Sequence, residues 1–183
     1  TQSLASVEAK LKQDASITLL VNNAGIGTHT PLLDSDVGLM ARMIDLNVTA
    51  LMRLSYAAAP GFVERGNGAI INISSIEGMA GTIACHGYTA TKFAVRGLTK
   101  STALELGPFG IRVNSVNPTV VMTPMSAWYW GRPEIEGPFL EQMPLGRWAT
   151  EDDIAGPIVF LLSDAAAMIS GVSLPIDGGY SSR

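Results

Sequence analysis

The sequence predicts an α/β fold with a parallel, doubly wound sheet, on three observations. Short apolar runs ending in Asn, Gly, Ser or Pro alternate about four times with segments of helical period, the pattern of strands joined by crossover helices. The 183 residues are 47% hydrophobic and 15% charged, a balance that suits buried strands and excludes an extended disordered chain. No linker, repeat or low-complexity tract divides the chain. Residues 1–183 are therefore expected to form a single domain large enough to bury its own core.

Leu4, Val7 and Leu11 recur at helical spacing, and ITLLVNNAG then gives an apolar run that reads as a fully buried parallel strand. Between Val37 and Phe62 a single apolar stripe passes through Met40, Met43, Ile44, Leu51, Leu54 and Ala58, with RGNG as a turn and AIINIS as a second buried strand. A helix from Tyr88 to Leu106 carries Phe93, Leu98 and Leu104, stops near Gly107 and Pro108, and leads into the strand IRVNSV. Residues 119–149 hold Pro124, Pro133, Pro138 and Pro144 and all three Trp residues, and read as a long irregular excursion. Thr150 with Asp153 predicts a capping box that opens a helix through Leu162, and SLPIDGG a final short strand. Pro157 falls inside that helix, where a lost hydrogen bond and a ring clash cost about 3 kcal/mol. A kink, or a helix start moved towards Pro157, is expected.

The formal charge of −4 is spread over both signs with no run of Lys or Arg, which argues against nucleic acid or an anionic membrane surface as partner. No apolar run approaches the roughly 18 residues of a membrane span, and the N-terminal stretch lacks the features of a signal peptide. The single cysteine, Cys85, cannot form an intrachain disulfide, so a soluble protein of the reducing cytoplasm is expected. The sequence opens on Thr1 rather than Met, in what reads as the middle of a helix, so an upstream part is expected.

Ligands of open α/β sheets bind beyond the carboxyl ends of the strands. That rule selects Asn22–Gly25, Ser74–Ser75, Asn117–Thr119 and the helix start near Tyr88, although each of these alone is an equally ordinary turn. YTATK places Tyr88 and Lys92 four positions apart, on one helix face with Cβ atoms about 6 Å apart. The spacing fits an acid–base pair and equally fits two residues of a surface helix. Asn47 can be a mid-helix polar residue facing solvent or a backbone group, and His86 is an alternative proton carrier at neutral pH. Nothing in the sequence points to a metal.

Taken in order, NNAG at 22–25, Asn47 in LNV, NISS at 72–75, YTATK at 88–92, RVNSVNP at 112–118 and DGG at 177–179 resemble the short-chain dehydrogenase/reductases of the Tyr-x-x-x-Lys type. The resemblance covers nearly the whole chain, and Ser75 precedes Tyr88 by 13 residues, the spacing of that family. The middle is similar to the 3α/20β-hydroxysteroid dehydrogenase branch, while VNPTVVMTPM and MPLGRWA are similar to the L-xylulose and diacetyl (dicarbonyl) reductases, as in a mosaic gene.

The resemblance implies a Rossmann-like sheet lacking its first two strand–helix units, about 60–70 residues at ~30 per unit, and with them the Gly-rich pyrophosphate turn. It implies hydride transfer between NAD or NADP and a carbonyl or secondary alcohol of the ketone, steroid, sugar or dicarbonyl class. Tyr88 would give the proton and Lys92 would lower the phenol's pKa and hold the nicotinamide ribose. Ser75 would bind the substrate oxygen, and Asn47 would anchor a water that passes protons to Lys92. Asn23, Ala24 and Gly25 would line the adenosine side of the cofactor, and Pro118, Thr119, Val121 and Thr123 its nicotinamide end. Thr119 stands where the family usually has Gly, so a different backbone path is expected there.

Residues 119–149 would form a substrate lid, whose Trp128, Tyr129, Trp130 and Phe139 suit an apolar ketone or pack on the body or on a neighbouring subunit. A homodimer or homotetramer is expected through the helices around Val37–Phe62 and Tyr88–Leu106, where Ala90, Ala94 and Gly97 permit close approach. The contrasting reading is a truncated, non-catalytic relative that binds cofactor weakly or not at all and acts as a structural partner. Without upstream strands, the edge of the ITLLVNN strand would expose backbone and apolar side chains.

Overall fold

The computed structural model describes residues 3–182; Thr1, on which the sequence opens, lies outside them. Four parallel strands, β1 (Leu19–Asn22), β2 (Gly68–Ile73), β3 (Ile111–Pro118) and β4 (Ser173–Ile176), form one sheet in the order β1-β2-β3-β4. Leu20 lies opposite Ile70, and Ile70 opposite Val113, so three apolar side chains form a row across the sheet. Helices α1 (Leu4–Gln13), α3 (Leu51–Arg65) and α4 (His86–Leu106) cover that row, contributing Leu11, Leu54, Ala58, Phe62 and Ala103 to the core. On the opposite face Ile71 and Val116 pack under Ile158, Leu161 and Leu162 of α7 (Glu151–Leu162).

The close fit of α3 on β2 explains one glycine: a Cβ on Gly68 would stand 2.4 Å from the Phe62 ring, so no other residue fits without displacing it. The apolar stripe that begins at Val37 is a continuous helical path in three parts. These are α2 (Val37–Ile44), a π-helical stretch Asp45–Ala50, and α3. Asp36 caps its start by accepting from the amides of Gly38 and Leu39.

Two expectations are corrected and a third is narrowed. The β1 strand is not fully buried: its side chains alternate, with Leu20 8% exposed but Leu19 49% and Val21 42%, because the helix that covers the second face packs on β2 and β3. Residues 119–149 are not irregular. They contain α5 (Pro124–Trp130) and α6 (Pro133–Leu140), each started by a proline whose missing N–H goes unused in the first turn. Helix α7 begins at the Thr150–Asp153 capping box and takes Pro157 into its body, so its start is not displaced. The excursion is closed at its base by the Val121–Ala149 bridge and by the Met122 amide donating to the Ala149 carbonyl at 2.9 Å.

Candidate active site

The carboxyl ends of β1, β2 and β3 open towards the first turns of α4. Lys92 is 4% exposed, and its Nζ donates to the Ile73 carbonyl at the end of β2 at 2.8 Å. One turn earlier on the same helix, the Tyr88 ring lies with its centroid 5.4 Å from that Nζ. Ser75 is buried, and its hydroxyl caps the turn Ile76–Gly78 by accepting from the Glu77 amide at 3.1 Å. From β3, the Asn117 amide donates to the Ser75 carbonyl at 3.1 Å, which fixes the backbone that carries the hydroxyl.

Asn47 sits in the π-helical stretch at 2% exposure. Its side chain brackets Ile26, accepting from the amide and donating to the carbonyl at 2.8 Å each, and also donates to Thr91 Oγ1 at 3.0 Å. Thr91 in turn donates to the Tyr88 carbonyl at 2.8 Å. Asn47 thus joins the loop after β1 to the helical turn that carries Tyr88 and Lys92. The fit is tight. A Cβ on Gly25 would lie 3.2 Å from Asn47 Oδ1 and 3.5 Å from Lys92 Nζ, and one on Gly27 only 2.9 Å from the Tyr88 ring.

Burial dominates the electrostatics. It pushes the Tyr88 phenol up to about 12, and the charges of Glu77 and Cys85 add to the rise while the Ser75 hydroxyl opposes it. It pushes the Lys92 ammonium down to about 8. The Lys92 Nζ lies over the ring and is tethered to the Ile73 carbonyl, and burial outweighs any lowering of the phenol that its charge supplies.

The structure brings Asn47, Ser75, Tyr88, Lys92 and Gly25 into one cluster, with Asn23 and Ala24 exposed beside it. Pro118 is buried at the end of β3. Just past β3, the Thr119 amide donates to the Ile176 carbonyl at 3.1 Å. The Thr119 hydroxyl and the Asn117 side-chain carbonyl are buried without a hydrogen-bond partner among the described residues. Val121 and Thr123 lie at the base of the 119–149 excursion and are engaged there. Val121 pairs with Ala149, and the Thr123 hydroxyl caps α5. His86 is exposed at the first position of α4.

Sequence reasoning did not single out Glu77, Thr91, His29 or Cys85 as neighbours of the cluster. Glu77 accepts from the Thr89 hydroxyl at 2.8 Å, and Cys85 Sγ lies 3.3 Å from His29 Nδ1. The available signal was position: Glu77 follows Ser75 by two residues and Thr91 precedes Lys92. The aromatic rings of 119–149 pack on one another and on Tyr180, with Trp130 5.4 Å from Phe139 and Phe139 stacked 5.1 Å from Tyr180. Trp128 is 74% exposed, and Tyr129 reaches to 6.3 Å from the His29 ring.

Residues 1–181 match the family model described as Enoyl-(Acyl carrier protein) reductase. The chain belongs to the short-chain dehydrogenase/reductase family. Over 178 residues this short-chain dehydrogenase/reductase is 47% identical to the 3-alpha-(or 20-beta)-hydroxysteroid dehydrogenase of Mycobacterium tuberculosis, covering 97% of the present chain and 66% of that protein. It is 41% identical to the L-xylulose reductase of Bos taurus over 165 residues, 90% of this chain and 68% of that one. Among solved structures, a gluconate 5-dehydrogenase of Burkholderia cenocepacia in complex with NADP and tartrate superposes with a TM-score of 0.93 at 30% identity, over 99% of this chain and 72% of that chain. The chain thus spans about two thirds to three quarters of the length of these relatives.

Proposed function

We propose that this chain carries the proton-delivering side of an oxidoreductase site that moves hydride between NAD or NADP and a carbonyl or secondary alcohol. The observation that carries the reading is the meeting of Ser75, Tyr88 and Lys92 beside the open shelf 23–25. Ser75 Oγ and Tyr88 Oη would hold the substrate oxygen, and Tyr88 would supply its proton. With the phenol pushed up to about 12, it stays protonated across the neutral range, which favours reduction; oxidation needs the phenolate and gains as pH rises. A general acid so placed accounts for roughly 10²–10⁴ in rate.

The residues present fit the nicotinamide half of a dinucleotide. The shelf is exposed, and the Gly25 backbone comes close enough to Lys92 that a Cβ would touch the ammonium's surroundings. Such a cofactor, when bound, would give or take the hydride. Asn23, Ala24 and Gly25 would face it, Lys92 Nζ would turn from the Ile73 carbonyl to its ribose, and Pro118, Thr119, Val121 and Thr123 would border the nicotinamide. The names of the steroid- and xylulose-acting relatives support a ketone, steroid, sugar or dicarbonyl substrate, and α5 and α6 would form its lid.

Assembly as a homodimer or homotetramer is part of the reading. It is supported by exposed Tyr56 on α3, Phe93 and Leu104 on α4, and by the open space over Gly97. We place the protein in the cytoplasm, where Cys85 stays a thiol. The deciding test titrates the protein with NADH and NADPH by fluorescence and follows carbonyl reduction. Binding with turnover is expected, and neither with any carbonyl would favour a non-catalytic, structural role.

A further inference from the structure

We propose that Glu77 makes this site selective for uncharged carbonyl compounds and turns keto acids away, a reading that rests on the oxidoreductase function above. The geometry carries it. Glu77 lies in the turn immediately after Ser75, its amide bound to the Ser75 hydroxyl at 3.1 Å. Its carboxylate accepts from the hydroxyl of Thr89 at 2.8 Å, the residue next to Tyr88. A carboxylate is therefore held on residues adjacent in sequence to both groups that must meet the substrate oxygen. The phenol of Tyr88 and the thiol of Cys85 both feel that charge. The carboxylate of an α-keto acid is bonded directly to its reacting carbonyl carbon, so it would enter the same field.

The neighbouring cations and titratable groups each have a partner, although Lys92 keeps its charge beside the Tyr88 ring. Lys92 holds the Ile73 carbonyl, and Arg96 holds the Gly78 carbonyl and the Ser173 hydroxyl. His29 pairs with Cys85, and Arg132 lies over the Tyr129 ring with Glu134 at 3.8 Å. The lid above offers aromatic rings, which suit an uncharged group. A like charge held this close in a half-buried site discriminates by roughly tenfold or more.

The test compares kcat/KM for benzoylformate and its methyl ester, with NADH and with NADPH, in the parent protein and in Glu77→Gln. Gln keeps an oxygen acceptor for the Thr89 hydroxyl, so the turn is retained. The parent should prefer the ester, with the preference falling as salt is raised, and the variant should narrow it by about tenfold and lose the salt effect. Ester turnover with an unchanged ratio in the variant overturns the role of Glu77 alone. Turnover of neither compound overturns the preference proposed here, while the oxidoreductase reading falls only if NADH and NADPH also fail to bind and no other carbonyl is reduced. A second readout needs no turnover: ultraviolet difference titration against Tyr88→Phe should show the Tyr88 phenol ionising at lower pH in Glu77→Gln. An unmoved titration places Glu77 outside the field of the site and also overturns the proposal.

Discussion

Ser75, Tyr88 and Lys92 are held by several elements at once, whereas the shelf at residues 23–27, directly beside them, is exposed and fastened mainly through Asn47. Ser75 takes bonds at its hydroxyl from Glu77 and at its carbonyl from Asn117, and Lys92 reaches β2 by its ammonium while its carbonyl accepts from Ser74 at 3.0 Å. The same contrast runs into the sheet, which is closed on both faces at β2 and β3 and on one face at β1. The reacting groups are therefore positioned by the chain itself, while the shelf is where a ligand would add order.

The largest effect expected is on the fixed side. Tyr88→Phe removes the proton donor and leaves the ring on Gly27, so carbonyl reduction should fall by roughly 10³-fold or more with unfolding unchanged; retained turnover would reject Tyr88 as the donor. Lys92→Met should lower turnover by about a hundredfold, as loss of one electrostatic group does, and weaken NADH and NADPH binding together. The pair also predicts a pH signature. Lys92 falls from 10.5 to about 8 on folding, so between those values the unfolded chain binds more protons and stability rises with pH. Tyr88 goes the other way, from 10.0 to about 12, and its contribution is lost over that range. Cys85, raised from 9.0 to about 11, also loses stability across its own interval. Urea unfolding at stepped alkaline pH should show Lys92→Met without the rise and Tyr88→Phe with a weaker fall.

The contrast also marks what could be read from residues alone. The parallel sheet was legible because AIINIS and IRVNSV carry apolar residues on both sides of the strand, Ile70 with Ile71 and Val113 with Val116, as strands covered on both faces do, and the Tyr88–Lys92 pair because one helical turn brings it together. The open face of β1 was not, since Leu19 and Val21 are as apolar as their buried neighbours and periodicity says nothing of what covers them. Pro124 and Pro133 looked like breakers because composition does not distinguish a proline inside a helix from one at its first position. The direction of the Tyr88 shift depended on burial of the phenol, which the packing of distant segments sets, and the tether of the Lys92 ammonium is a contact across 19 residues to the Ile73 carbonyl. The Cys85–His29 contact spans 56 residues and leaves no local trace.

Asn47 is the joint between the two regions, and its loss should be intermediate. Asn47→Ala strips the amide and carbonyl of Ile26 and the Thr91 hydroxyl of their partner, at about 1–3 kcal/mol for buried groups left unpaired. Hydrogen exchange should speed up first in residues 23–27, ahead of α4. Equal acceleration in both would mean that the shelf is not separately held, and would remove the contrast between them.

The smallest effect, at Val21, is set against Leu20 on the other face of β1. Leu20→Ala empties a place in the row formed with Ile70 and Val113 and should cost about 2–5 kcal/mol, in the range of buried Leu truncations. Val21→Thr changes a side chain 42% exposed, keeps its branched shape, and should move urea unfolding of the chain by less than ~0.5 kcal/mol. The ratio matters more than either value. A Val21 cost approaching that of Leu20 would mean that another segment or another copy covers this face in solution, since a hydroxyl is penalised only where its surroundings exclude water.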